Sequence, residues 1–424
     1  MRALLVAVMC AGCYGDQLDS PPDAGDLADP RELVTLQFLA DAVDLSGFPV
    51  YFQNADSTLA TATRTDADGR ARARMLPGGF VTIVLPNGSM FTYADVRGGD
   101  TLIVNRADNN TERKEIQVTL PPSPGANVYT LWTNCGATRL DADLIEQAMP
   151  QQAMLIGCGA ISDIVVTASS TEPQPFGSNH SYLYRKDVPL DPSALTTFED
   201  AFVPQIESEV AATAMNEPAP QVTFTQQLVR DRRDVGQART ITVDVVGSAA
   251  SGRITKMFAP QDGLTLTRVV PQVLGLSGQT TIVWGPSDRE TEVVLGERAL
   301  RSYTTRPRLE PSSTSVQWNE ETEGVVGELV MLELQWTPPG TQKRTWQILS
   351  PRTDAAIVRF PVLPVAEYRP LDDAWVTQLT TIAIDDDSVA RTTLLGSWPG
   401  NDSWLADTDA GRADFRVLAP PFRN

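Results

Sequence analysis

Short runs of β-branched and aromatic residues, cut every few positions by Gly, Pro, Asn or Asp, fill most of this chain. No other feature constrains the fold as much. A strand needs only a handful of residues with alternate positions buried, whereas a helix needs a 3.6-residue apolar period over ten or more. The runs are strand-sized: VTLQFL, PVYFQ, FVTIVL, ISDIVVTAS, RTITVDVV and ELVMLELQW. The expected fold class is therefore all-β, with several antiparallel β-sandwiches. Helical periodicity is scarce. One helical segment is expected over Leu195–Ala214, interrupted by Pro204, and a shorter one over Asp141–Gln147. At 424 residues and 42% apolar content the chain can bury a core and should divide into two to four domains.

The amino terminus carries a different signal. Met1-Arg2 precedes an apolar run from Ala3 to Met9 and then Cys10-Ala11-Gly12-Cys13. A basic residue, an apolar core and small residues before a boundary are the parts of an export signal. The run is too short for a spanning helix, which needs roughly 20 residues. Ala11-Gly12-Cys13 resembles the lipobox of bacterial lipoproteins, with Cys10 where that family prefers Leu. The resemblance implies cleavage after residue 12, lipidation of Cys13 and a membrane partner through the lipid. Tyr14, in place of an inner-membrane-retaining Asp, leans the expectation to the outer membrane. Residues 13–32 are rich in Asp, Pro and Gly and read as a disordered tether, unable to bury enough surface to fold.

Export shapes the reading of the remaining cysteines. Cys135 and Cys158 are an even pair in an oxidising compartment, so a disulfide is the expected state. A zinc site is poorly supplied, because the chain has one His and no further Cys pair.

Behind the tether, a first unit is expected over 33–120. Asp68-Gly69 between two strand runs marks a tight hairpin. Gly47, Pro49, Val50, Thr65, Asp66, Gly69, Leu76, Pro77 and Gly79 resemble the Ig-like or carboxypeptidase-regulatory-like (transthyretin-like) sandwich modules of bacterial surface proteins. That resemblance implies a fold and says little about function. A small disulfide-containing β domain is expected over 121–192 and a helical linker over 193–221. A large β region follows over 222–420, with a possible split near Pro307–Ser312.

Chemistry is sparse. A His-based mechanism has only His180, in the polar stretch Gly177–Ser181, with no Gly-x-Ser-x-Gly elbow and no phosphate loop elsewhere. No catalytic residue is assigned, and a non-enzymatic chain is expected. The net charge of −19 argues against nucleic acid. Calcium is the cofactor that acidic turns would take. The candidate ligands are Asp66, Asp68, Asp385–Asp387, Asp402, Asp407, Asp409 and Asp414, although Asp also favours turns in its own right. Trp284, Trp318, Trp336 and Trp346 sit in apolar strands and read as core, while Trp398 and Trp404 in a Gly- and Asp-rich loop are candidates for stacking on a glycan. The expected function is a cell-envelope binding or structural module with a protein or glycan partner. The alternatives are a glycan-binding or glycan-processing lipoprotein acting through 222–420, or a calcium-stabilised adhesion component.

Overall fold

The structure, a computed structural model, describes residues 31–40, 44–106, 113–133, 136–156, 161–170, 181–191, 193–215, 219–230, 233–256, 263–273, 277–286, 291–309, 314–352, 355–370, 374–384 and 410–418. As expected it is all-β, organised in several sheets. Among the described residues no helix is long and apolar enough to cross a membrane.

The first unit holds β1 (Glu32–Ala40), β2 (Pro49–Gln53), β3 (Leu59–Arg64), β4 (Arg70–Met75), β5 (Gly79–Val84), β6 (Met90–Val96) and β7 (Thr101–Arg106). Its strands follow from period-2 patterning. In β4, RARARM, Ala71, Ala73 and Met75 point inward and the arginines outward. β1 lies between β4, antiparallel, and β7, parallel. The facing strands run in the order β3-β2-β5-β6.

This wiring recurs. The second unit comprises β8 (Arg113–Thr119), β9 (Val128–Thr133), β10 (Gly136–Leu140), the short helix α1 (Ala142–Glu146), β11 (Gln151–Ile156), β12 (Ile161–Ser169), β13 (Ser181–Pro189), β14 (Leu195–Thr197) and β15 (Val203–Pro204). β8 pairs antiparallel with β11 and parallel with β14, opposite the order β10-β9-β12-β13. β8 thus joins the second unit and not, as the sequence suggested, the end of the first. The third unit comprises β16 (Ile206–Thr213), β17 (Gln221–Arg230), β18 (Arg233–Asp244), β19 (Ala250–Lys256), β20 (Leu264–Pro271), β21 (Ser277–Pro286) and β22 (Thr291–Val294). β16 pairs antiparallel with β19 and parallel with β22, opposite β18-β17-β20-β21.

The fourth unit is the variant. It holds β23 (Arg308–Leu309), β24 (Ser315–Gln317), β25 (Leu329–Trp336), β26 (Arg344–Pro351), β27 (Ile357–Arg359), β28 (Trp375–Ile384) and β29 (Gly411–Leu418). Its larger sheet keeps the same order, β26-β25-β28-β29. In its small sheet β24 lies between β27 and β23, both antiparallel, where the other units have a parallel last strand.

The helix expected over Leu195–Ala214 is absent. Those residues form β14, β15 and β16. Glu and Ala favour helix, but in IESEVAAT the burial alternates: Ser208, Val210 and Ala212 turn inward while Glu207 and Glu209 turn out toward Arg253. Pairing with β19 and β22 on both sides outweighs the local preference. The shorter helix was expected and is present as α1, its N-cap Asp141 accepting from the Asp143 amide.

The larger sheets of the first, third and fourth units join edge to edge into one 12-stranded sheet. β21 pairs antiparallel with β29, and β26 pairs parallel with β6. At the second seam the fully buried Trp346 donates its indole N–H to Thr92 Oγ1 at 2.8 Å and packs edge-on against Phe360. Trp284, Trp318 and Trp336 are also buried, as their apolar strands imply.

Candidate functional site

Of the acidic candidates, Asp66, Asp68 and Asp414 fall on described residues, and the carboxylates of Asp66 and Asp414 have structural roles. Asp66 lies at the head of the β3–β4 turn. Its Oδ1 accepts the amides of Asp68 and Arg70 at 3.0 and 2.8 Å, so it holds its own hairpin. Asp68 faces Arg70 at 4.0 Å on the surface. Gly69 completes the turn with φ +76°, and a Cβ there would meet the Phe38 carbonyl oxygen at 2.3 Å.

Asp414 is wholly buried on β29. Its carboxylate accepts from Thr281 Oγ1 at 2.5 Å, Gln279 Nε2 at 3.1 Å, and Arg412 Nε and Nη2 at 2.9 and 3.0 Å. Arg412 neutralises the charge, so Asp414 acts as the pin of a seam and not as a cation ligand. Among the described residues no group of three or more His, Cys, Asp or Glu could hold a metal ion. Cys13, Cys135, Cys158, His180, Asp385–Asp387, Trp398, Asp402, Trp404, Asp407 and Asp409 lie outside the described residues.

Polar side chains concentrate where units meet. Between the second and third, Arg230 at the end of β17 is almost fully buried. Its Nη1 donates to both Asp163 oxygens at 2.7 Å and its Nη2 to Asp187 at 3.1 and 3.2 Å. Tyr184 donates to Asp163 at 3.0 Å, and burial together with that carboxylate pushes its hydroxyl well above the usual tyrosine range. An apolar cluster of Val165, Tyr182 and Leu228 packs beside it. Between the third and fourth, buried Arg416 donates to the Leu300 carbonyl at 2.7 Å and to Gln279 Oε1 at 3.3 Å. Tyr303 donates to the Arg416 carbonyl at 2.9 Å, and burial raises its hydroxyl above the ordinary range. Within the fourth unit, buried Arg352 pairs with Glu320, which also accepts the Trp318 indole N–H at 2.6 Å.

Two clefts flank these seams. One of about 340 Å³ lies between the third and fourth units, with Gln279, Leu295, Glu321, Glu323 and Arg416 in its wall. The other, about 550 Å³, lies between the first and fourth, lined in part by Phe48, Pro86, Asn87, Arg344 and Tyr368. There the Arg344 guanidinium sits 5.2 Å over the Tyr368 ring and donates to the Glu367 carbonyl. Such surfaces suit binding.

Sequence reasoning did not single out the inward-facing arginines Arg230, Arg352 and Arg416. The available signal was a charge at an inward position of an alternating strand, as in GRADFRVL, where Asp414 and Arg416 share one face.

What the fold defines is a tandem β-sandwich protein. No family model and no curated protein matches the chain. Among solved structures it is similar to the Bacillus anthracis TIE protein, at 12% identity over 62% of this chain and 49% of that one, with a TM-score of 0.16. It is similar to a protein described as an adhesin from Bacteroides ovatus, at 9% identity over 68% and 93%, with a TM-score of 0.15. A third is the pilus adhesin SpaC from Lactobacillus rhamnosus GG, at 11% identity over 79% and 44%, with a TM-score of 0.14. The chain spans about half the length of the Bacillus anthracis protein. At these scores the likenesses carry no argument about function.

Proposed function

We propose that this chain is an exported, lipid-anchored module of the cell envelope, at the outer membrane, that works as a binding or structural element without chemistry of its own. The observation that carries this reading is the repetition of one sandwich wiring in three consecutive units and of its larger-sheet order in a fourth, with the larger sheets of three of the four joined into one. Stacked sandwiches with polar pins at their seams hold surfaces at fixed separations, which suits a display or spacer role. The apolar leader, the lipobox-like Cys13 and the Asp- and Pro-rich segment behind it support attachment through a leash. A disulfide between Cys135 and Cys158 would belong to the same compartment.

Metabolic labelling with an alkyne fatty acid tests the anchor. In a bacterial host the wild type is expected to take up label and fractionate with outer membranes, and Cys13→Ala to do neither. An unlabelled wild-type chain that is recovered soluble would overturn the reading.

A further inference from the structure

The most exposed large aromatic residue among the described ones is Trp375, at 58% of its surface. It opens β28 and stands directly opposite Gln335 of β25. Side chains alternate along β25. Val330, Leu332 and Leu334 turn into the core with Val316 and Val358. Glu333 and Gln335 therefore turn to the opposite face, away from the small sheet β23-β24-β27. Further along that face Met331 and Leu349 are buried, so only its end near the β25–β26 turn is open.

This end is organised. Glu333 Oε1 accepts from Gln335 Nε2 at 2.8 Å and Thr377 Oγ1 at 2.6 Å, and Oε2 accepts from Gln347 Nε2 at 3.0 Å. A register shift between Glu333 and Leu334 adds Thr377 as an extra residue of β28 and aims its hydroxyl at the carboxylate. The result is a carboxylate locked in place beside an indole. Gln335 and Gln347 flank it, each with a second amide N–H and a carbonyl oxygen beyond the bond it gives to Glu333. No cation pairs with Glu333 among the described salt bridges.

We infer that this end of the β25–β26–β28 sheet is a binding platform for a neutral pyranose oligosaccharide. A flat indole offers apolar surface to the C–H face of a sugar ring, while planar amides and a carboxylate hydrogen-bond equatorial hydroxyls around it. A protein partner would call for a wider apolar patch, and Trp375 is bordered here by polar side chains. The assignment deepens the reading of the chain as a binding module but does not depend on lipidation at Cys13, so labelling and glycan binding can fail separately.

The test is titration of the full chain with neutral gluco-, manno-, xylo-, galacto- and chito-oligosaccharides, read by calorimetry and by indole fluorescence. At least one class is expected to bind. Trp375→Ala should then weaken it at least about tenfold, or about 1.4 kcal/mol. Trp375→Phe should retain most of the affinity, and Glu333→Gln should weaken it with the melting midpoint unchanged. Absence of binding by every class overturns the proposal. So does binding that survives Trp375→Ala, or concentration-dependent self-association that Trp375→Ala abolishes while no sugar binds.

Discussion

Arg230 of the third sandwich holds one guanidinium nitrogen 2.7 Å from both carboxylate oxygens of Asp163 in the second, 67 positions earlier in the chain. The second unit takes no part in the 12-stranded sheet, and this pair, Asp187 and the small apolar cluster beside them are part of that junction, along with packing of β18 on β9 and β12. Removing Asp163 leaves the buried guanidinium with only the more exposed Asp187 as counter-charge. Asp163→Ala is expected to cost up to about 3–5 kcal/mol in denaturant unfolding. Replacing both, as Asp163→Leu with Arg230→Met, should recover much of that loss, because the desolvation cost disappears with the charges. A double variant as unstable as the single one would show that packing and not charge governs the junction.

The β3–β4 hairpin makes a sharper prediction. Gly69 has φ +76°, and its absent Cβ leaves room for the Phe38 carbonyl. Gly69→Ala meets strain and a backbone clash together and is expected to cost more than Asp66→Ala, which removes only the bonds that Asp66 accepts. Backbone strain of this kind is worth about 1–3 kcal/mol. Thermal melting of the two variants checks the order, which reverses if the carboxylate does more than hold the turn.

Much of the strand pattern was legible because it is local. Alternation in RARARM names both the strand and its inward face. Alternation was present in IESEVAAT too, but Glu and Ala masked it, and the hydrogen-bonding partners that decided the matter are distant in sequence. Pairing was illegible for the same reason. Nothing local says that Arg113–Thr119 pairs forward with β11 and β14, or that one wiring recurs with no repeat in sequence. The exposure of Trp375 was equally hidden. Trp336 and Trp375 lie on paired strands in apolar runs, yet one is 3% exposed and the other 58%. The difference depends on which face each takes and what covers it, which only the assembled sheets decide.

Buried tyrosines set the alkaline limit. Burial raises the hydroxyls of Tyr93 and Tyr303 above their ordinary 10.0. The folded protein therefore keeps protons that the unfolded chain releases. Their stabilising contribution is complete below about pH 10 and is lost as pH rises toward the folded values. Above about pH 10 stability should fall by about 1.4 kcal/mol per pH unit for each such tyrosine. Tyr93→Phe, which has no proton to lose, should flatten the slope measured by urea unfolding between neutral and strongly alkaline pH. An unchanged slope would mean that other groups set the limit.

The cysteine pair gives a prediction from its place in the sequence alone. Cys135 lies between β9 and β10 and Cys158 between β11 and β12, all strands of the second sandwich. Material exported to an oxidising compartment should resist alkylation at both thiols until reduced. In the chain-entropy model a loop of this size is worth on the order of 3 kcal/mol. Reduction, or Cys135→Ser with Cys158→Ser, should lower the unfolding free energy by about that amount. The loss should fall on the second unit first, since among the described residues its strands pair only with one another. Protease cleavage within 113–204 on mild heating of the reduced chain would be the readout. Free thiols in the untreated, exported protein would contradict the pairing.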